Sequence, residues 1–327
     1  WDKYFLRCGF MSMNPYNGHI KAYVGGPNFS AFQYDMVNVG KRQVGSTVKP
    51  FLYTLAMEEG MTPCTRVPNV QPTFVLGDGT EWAPRNDSKK KVGEMVTLRW
   101  ALSQSNNWIS AYLIREYSPQ SLVKLMHSFG IKSKLDPVIS LCLGPVEVSV
   151  TEMVDAYTTF VNKGIKVDPL YVTRIEDNKG NVISSFTPQY TEIISEETSH
   201  KMLEMLKAVI NEGTGVRLRY RYQFKGDIGG KTGTTQNNSD GWFIGVTPEL
   251  VSGTWVGGED RSIHFDNLRE GQGASMALPV WALYMQKVYA DETLGYSDTL
   301  KFDIPEHLHK EYKECVSNEI VEDLLFN

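Results

Sequence analysis

The chain has 327 residues, 41% of them apolar and 22% charged, the balance of a globular protein large enough for one big domain or two ordinary ones. Its formal net charge of -5 argues against nucleic-acid binding, which needs basic surface. No apolar run approaches the roughly 20 residues of a membrane helix, and no basic-then-apolar leader is present.

The chain begins at Trp1 and runs almost at once into a strand-like stretch, so it reads as an excised fragment. Cys8 to Met13 and His19 to Val24 are two apolar-rich runs around Asn14-Pro15-Tyr16-Asn17-Gly18, the signal of a hairpin. Gly25 to Val44 is polar and irregular. From Val48 the apolar residues recur at Phe51, Leu52, Leu55 and Ala56 and stop at Gly60, which predicts a helix with Pro50 near its start and Ser46 at its N-terminal end.

Met61 to Gly93 is rich in Pro, Gly, Asn and Lys and reads as a long surface excursion. Helical periodicity follows over Thr97–Leu102, Trp108–Glu116, Ser121–Phe129, Val150–Lys163 and Glu196–Asn211. Strands are expected at Asp227–Thr235, Gly241–Val246 and Val251–Val256, where Gly, β-branched and aromatic residues alternate with turn signals. A last helix is expected over Ala274–Tyr289. Early and late strands then pair into one antiparallel sheet, covered by helices, with an all-helical lobe inserted between them: an α+β domain. Its chemistry belongs in the cleft between sheet and lobe.

The four cysteines, Cys8, Cys64, Cys142 and Cys315, stand singly. No C-x-x-C or H-E-x-x-H pattern exists, so no metal site is expected; spacing assigns no disulfide. His307 and His309 read as solvated tail residues.

Three short patterns carry chemistry. Ser46-Thr47-Val48-Lys49 places a hydroxyl and an amine three residues apart on a helix, as neighbours. Serine needs an adjacent base, and a lysine with a lowered pKa can serve. S-x-x-K also occurs at Ser88 and Ser121: the first lies in a lysine-rich loop, the second is expected to cap a helix with Lys124 on its wet face. Ser105-Asn106-Asn107 follows a helix; Ser105 can relay protons, and the Asn107 amide can hold a peptide bond. Lys231-Thr232-Gly233-Thr234-Thr235 follows Gly229-Gly230 on a strand. Its cation and hydroxyls can bind a carboxylate, and a free amide there can help form an oxyanion hole. Each pattern alone is equally well a helix cap or an edge strand. Their ordered combination resembles the S-x-x-K, S-D-N and K-T-G signature of class A β-lactamases and penicillin-binding proteins.

The resemblance extends further. Arg42-Gln43-Val44-Gly45-Ser46-Thr47-Val48-Lys49-Pro50-Phe51 resembles the nucleophile segment of penicillin-binding proteins. Met13-Asn14-Pro15 with Gly18 and Val24-Gly25-Gly26 resembles their opening hairpin, and Trp82, Pro84 and Asn86 resemble their W-x-P-x-N stretch. Leu143-Gly144, Glu147 and Thr151-Glu152-Met153 resemble a helical segment of the same domain. Lys231 to Thr235 with Asp240-Gly241-Trp242-Phe243-Ile244-Gly245 looks like the transpeptidase domain of the class A, bifunctional branch. The resemblance spans Cys8 to Gln286, so residues 1–290 are expected to form the transpeptidase domain and 291–327 a tail or small extension.

The resemblance implies a peptidoglycan D,D-transpeptidase without cofactor or metal. Ser46 would be acylated by a stem peptide ending in D-Ala-D-Ala, with Lys49 as general base and Ser105 shuttling a proton with help from Lys231. Asn107 would orient the donor, Thr232 and Thr234 flanking Gly233 would bind its carboxylate or that of a β-lactam, and the backbone amides of Ser46 and Thr234 would form the oxyanion hole. A second stem peptide's amine would take the acyl group. The parent protein would be membrane-anchored, carry a glycosyltransferase domain and face the periplasm or the outer side of the bacterial inner membrane. Asn106 carries no role in this reading, and Val44 replaces a proline common before the Gly-Ser pair. The rivals are a D,D-carboxypeptidase or serine β-lactamase, and a non-catalytic sensor of β-lactams or peptides. Against a β-lactamase, no Glu-x-x-Leu-Asn run is present, and Glu147 alone falls in the right interval.

Overall fold

A computed structural model describes residues 4–30 and 32–308. Five strands, β1 (Arg7–Met13), β2 (Ile20–Val24), β3 (Gly229–Thr234), β4 (Asp240–Val246) and β5 (Val251–Gly257), form one sheet in the order β3-β4-β5-β1-β2. Every neighbouring pair is antiparallel, so the two ends of the chain do build one sheet. Every residue of β4 and β5 is buried, which means that both faces are covered. On one face the indole of Trp281 lies where a side chain at Gly245 would stand, 2.4 Å from the Cβ position. On the other, Val154 reaches the Cβ position of Gly253 at 2.5 Å. The expected α+β class and inserted helical lobe are what the chain forms.

The lobe is built from α1 (Lys49–Glu58), α2 (Leu98–Ser103), α3 (Asn107–Tyr117), α4 (Pro119–Ser128), α5 (Val150–Val161) and α6 (Glu196–Asn211). Helix α1 is buried almost all round, as a central helix must be when it is apolar on every side. Phe51 is its anchor, in edge contact with Phe129 and Tyr157 at centroid distances of 5.2 and 5.7 Å. Helix starts follow capping chemistry: Thr97, Asn106 and Ser195 accept from the amides of Trp100, Ile109 and Thr198. Ser149 and Glu152 form a capping box at α5, and Glu152 also accepts from the amides of Lys132 and Ser133. Beyond the lobe come α7 (Arg217–Tyr220), α8 (Leu268–Gly271), α9 (Gly273–Met276) and α10 (Leu278–Ala290).

Several expectations need correction. The helix expected over Ala274–Tyr289 breaks into α9 and α10, because Pro279 fits only the first turn of the second. Ser121 does not cap α4; Ser118, at φ 69°, does, accepting from the Ser121 amide at 3.2 Å. Met61 to Gly93 is more than a surface loop, since Val67, Asn69 and Phe74 are buried. Within and just after it, Arg66–Pro68 pairs with Met95–Thr97 and Phe74–Val75 with Glu81–Trp82. The periodicity also gave no sign of two further strand pairs, Ile165–Val167 with Tyr190–Glu192 and Arg174–Glu176 with Val182–Ser185.

Phe302, Ile304 and Leu308 are buried, and the amide of Phe302 donates to Asp227 at 3.2 Å, so the chain after α10 folds back onto the domain. His307 is exposed; His309 and Cys315 lie outside the described residues. Cys64 is disulfide-bonded, whereas Cys8 and Cys142 are free thiols. Among the described residues no cluster could hold a metal ion, and no helix is long and apolar enough to cross a membrane.

Candidate active site

Ser46 sits in a single 3-10 turn, Gly45–Val48, that runs directly into α1, one turn ahead of the α-helix itself. Gly45 has φ +54°, and a Cβ there would stand 2.6 Å from the Thr234 carbonyl oxygen. Only glycine lets the nucleophile turn lie against β3 in this conformation. The turn is held from behind by the Tyr157 hydroxyl, which donates to the Thr47 carbonyl at 2.7 Å. The Gly45 amide donates to the Gly144 carbonyl at 3.0 Å.

Lys49 and Lys231 are both fully buried. The Lys49 amine lies 2.6 Å from the Ser105 carbonyl oxygen, 2.6 Å from Asn107 Oδ1 and 3.3 Å from Ser105 Oγ. Lys231 Nζ lies 3.0 Å from the same Ser105 Oγ and 2.9 Å from the Thr232 carbonyl. The Ser105 hydroxyl therefore stands between two amines that arrive from an α-helix and a β-strand. Burial lowers the Lys49 pKa from 10.5 to about 7. Burial, and then the neighbouring Lys49 charge, push Lys231 well below its ordinary value. Taking an ammonium out of water without a carboxylate partner disfavours the charged form. A neutral Lys49 amine has two N–H groups, which its two carbonyl partners at 2.6 Å can take, leaving the lone pair free.

Ser105 occupies the left-handed region at φ 55°, a costly conformation for a residue with a side chain. It is pinned between α2 and α3 by its amide bond to the Leu102 carbonyl at 3.0 Å and by the following Asn106 amide to Ala101 at 2.9 Å. Asn106 turns out to be a structural residue: it caps α3 and donates to Asn69 Oδ1 at 2.8 Å. Asn107 is clamped by the Trp82-to-Asn86 stretch, its amide donating to Asn86 Oδ1 and its side chain to the Arg85 carbonyl, both at 2.6 Å. The Trp108 indole donates to Pro84 at 3.0 Å.

On β3 the Thr232 hydroxyl lies 2.7 Å from that of Thr214, and Thr234 Oγ1 accepts from the Gly273 amide at 3.1 Å. A Cβ at Gly233 would meet the Val44 carbonyl at 2.6 Å, so strand and nucleophile segment touch backbone to backbone. Behind them the fully buried Asp240 carboxylate accepts from Arg42 Nε at 2.8 Å and Trp255 Nε1 at 2.9 Å. Trp242 Nε1 donates to the Gln43 carbonyl at 2.8 Å. These bonds strap the segment carrying Ser46 to the sheet.

All eight residues singled out in the sequence, Ser46, Lys49, Ser105, Asn107, Lys231, Thr232, Gly233 and Thr234, lie at this junction of 3-10 turn, α2–α3 connection and β3. The reading missed Thr214 and the Arg42–Asp240 pair as parts of it. The Gly213-Thr214-Gly215 run was a legible signal for the first; nothing in the sequence pairs positions so far apart for the second. The competing tetrads fall elsewhere: Ser88 accepts from the Lys90 amide in its loop, and Lys124 is exposed on α4. In the opening hairpin Asn14 Oδ1 accepts from the amides of Tyr16 and Asn17. Glu147 is exposed and paired with Arg261.

A family model described as the penicillin binding protein transpeptidase domain matches residues 8–256. The "Penicillin-binding protein 1A" of Aquifex aeolicus is 32% identical over 284 residues, covering 86% of this chain and 38% of that protein. The "Penicillin-binding protein 2D" of Bacillus subtilis is 31% identical over 293 residues, covering 88% and 42%. The crystal structure of penicillin-binding protein 1A from Haemophilus influenzae superposes with a TM-score of 0.81 at 26% identity, over 88% of this chain and 48% of that one. The chain thus spans about two-fifths of the length of the curated relatives it matches.

Proposed function

The chain belongs to the penicillin-binding protein transpeptidase family, and on that premise we propose that it is a peptidoglycan D,D-transpeptidase acting through an acyl-enzyme on Ser46. The observation that carries this reading is the buried Lys49–Ser105–Lys231 relay, 3.3 and 3.0 Å long in its two links, beginning one turn after Ser46.

In the first half-reaction Ser46 Oγ attacks the carbonyl between the two terminal D-Ala residues of a stem peptide, and its proton passes to the neutral Lys49 amine. The oxyanion forms against the amides of Ser46 and Thr234, at the start of a helix where backbone N–H groups and the helix dipole favour negative charge. The C–N bond then breaks; the leaving amine takes its proton from the Ser105 hydroxyl, which recovers it from the protonated Lys49 while Lys231 holds the same oxygen at 3.0 Å. Thr232, Gly233 and Thr234 hold the carboxylate of the departing D-Ala, or that of a β-lactam, and Asn107 orients the donor amide. In the second half-reaction an amine of another stem peptide attacks the ester, gives its proton back through Ser105 and frees Ser46. The relay suits both directions because Ser105 donates and accepts.

Residues 1–290 form this catalytic unit in our reading, and the described part of 291–327 serves as an extension packed on it. The resemblance to the bifunctional branch, and relatives more than twice as long, support a parent protein with a membrane anchor and a glycosyltransferase domain. The bonded Cys64 fits an extracytoplasmic, oxidising compartment.

The test is to incubate the protein with a labelled penicillin and follow the intact mass over hours, beside Ser46→Ala. One adduct that persists, and is absent in the variant, supports the reading. Rapid loss with hydrolysed drug accumulating would instead indicate a β-lactamase. No adduct at any concentration would remove the acyl-enzyme mechanism.

A further inference from the structure

Beside the carboxylate-binding edge of β3 lies a concavity of about 450 Å³ whose lining includes Arg217, Arg221, Arg269, Tyr220, Glu270 and Ser275. Two segments that touch the site build it. Thr214, whose hydroxyl meets Thr232 at 2.7 Å, is three residues ahead of Arg217. Gly273, whose amide meets Thr234 Oγ1 at 3.1 Å, is followed by Ala274 and Ser275. Arg217 ties the segments together, donating to the Ala274 carbonyl at 3.0 Å and to Ser275 Oγ at 2.8 Å. Since consecutive Cα atoms are about 3.8 Å apart, Arg217 begins within about 11 Å of Thr214.

The charge of this pocket is out of keeping with the chain, whose net charge is -5. Three arginines and a single acidic residue, Glu270, line it, and the Glu270 carboxylate already accepts from Asn267 Nδ2 at 3.1 Å. Among the described residues none of the three arginines is in an ion pair. Arg221 stands over the Tyr222 ring at 5.7 Å, and Arg221 and Arg269 are exposed. Planar, permanently charged donors left without acidic partners are suited to carboxylates.

Position gives the pocket its meaning. Thr232 and Thr234 mark where the carboxylate of the leaving residue is held in the function proposed above. In the second half-reaction the attacking amine must take the place of the leaving amine at the same carbonyl carbon. The remainder of the acceptor then extends outward on the leaving-group side. We propose that the Arg217–Arg221–Arg269 pocket binds free carboxylates of the acceptor, a peptide carrying two or more of them. This inference rests on the acyl-transfer reading of Ser46 for its role, but the binding it asserts does not depend on catalysis.

The test is therefore an equilibrium one. The protein is titrated with an N-acetylated tripeptide bearing two free carboxylates and, separately, with its bis-amide, observing binding by NMR. The free acid is expected to bind about tenfold or more tightly than the amide, a preference that weakens with salt. The double variant Arg221→Gln/Arg269→Gln, both exposed, is expected to lose that preference at an unchanged melting temperature. Arg115→Gln, in the last turn of α3 at the end opposite Asn107 and paired with Glu116, serves as a control for bulk charge. Equal affinity for acid and amide, or an equal loss in the Arg115 variant, would overturn the proposal. The penicillin adduct measured on the same protein reports separately on Ser46, so failure of the acceptor pocket and failure of the acyl-transfer reading are distinguished.

Discussion

The burial of Lys49 makes a quantitative demand on the pH dependence of acylation. With its pKa brought from 10.5 to about 7, the amine that must accept the Ser46 proton is about half neutral at pH 7, about 1% neutral at pH 5 and about 90% neutral at pH 8. The second-order rate constant for acylation by a fluorescent penicillin, read from quenched time points on gels, should rise about tenfold per pH unit below pH 6. From pH 7 to 8 it should rise less than about twofold, because little further deprotonation remains. An unburied lysine would be only about 0.03% neutral at pH 7, and the rate would still climb about tenfold per unit at pH 9. Asn107→Asp provides a second perturbation. It would set a carboxylate where an amide oxygen now stands 2.6 Å from Lys49 Nζ, favouring the ammonium and moving the midpoint up by about 1–3 units. A profile flat from pH 5 to 8, one still climbing tenfold per unit above pH 8, or an unmoved midpoint in the variant would refute Lys49 as the base.

Three further outcomes follow from the packing around the site. Asp240→Ala removes the carboxylate that Arg42 and Trp255 share and leaves a nearly buried guanidinium without its buried counter-charge, its remaining acceptor being the Glu259 carbonyl, so chemical denaturation should show a loss of about 3–5 kcal/mol. Thr214→Val deletes the hydroxyl 2.7 Å from Thr232; penicillin acylation should slow about fivefold to tenfold while stability changes by only about 1 kcal/mol. Gly45→Ala puts a Cβ at φ +54° and 2.6 Å from the Thr234 carbonyl, adding about 1–2 kcal/mol of backbone strain. It should lower the melting temperature and cut acylation by about tenfold or more as the turn is pushed off β3.

Where structure is local, the chain declares it. Helix α6 begins and ends where its periodicity does, Glu196–Asn211, because Ser195 caps it and no breaker interrupts it. The strands β4 and β5 fall within a residue of their expected bounds, as their β-branched and aromatic residues and flanking turns demand. The three reactive patterns are equally local: a serine and a lysine on one turn, a serine before a capped helix, a lysine among glycines. Short exposed pairs such as Arg174–Glu176 with Val182–Ser185 escape notice because each strand has too few residues to show a period. What no local pattern holds is the meeting of Lys231 with Ser105, 126 residues away, over one hydroxyl. Nor does it hold the meeting of Arg42 with Asp240, 198 residues away, or the pocket of arginines beside Thr214. Those distances, and the burial that takes Lys49 down to about 7, exist only once the sheet has closed against the helical lobe. Desolvation and hydrogen-bond geometry depend on what surrounds a group in space, not on its neighbours along the chain.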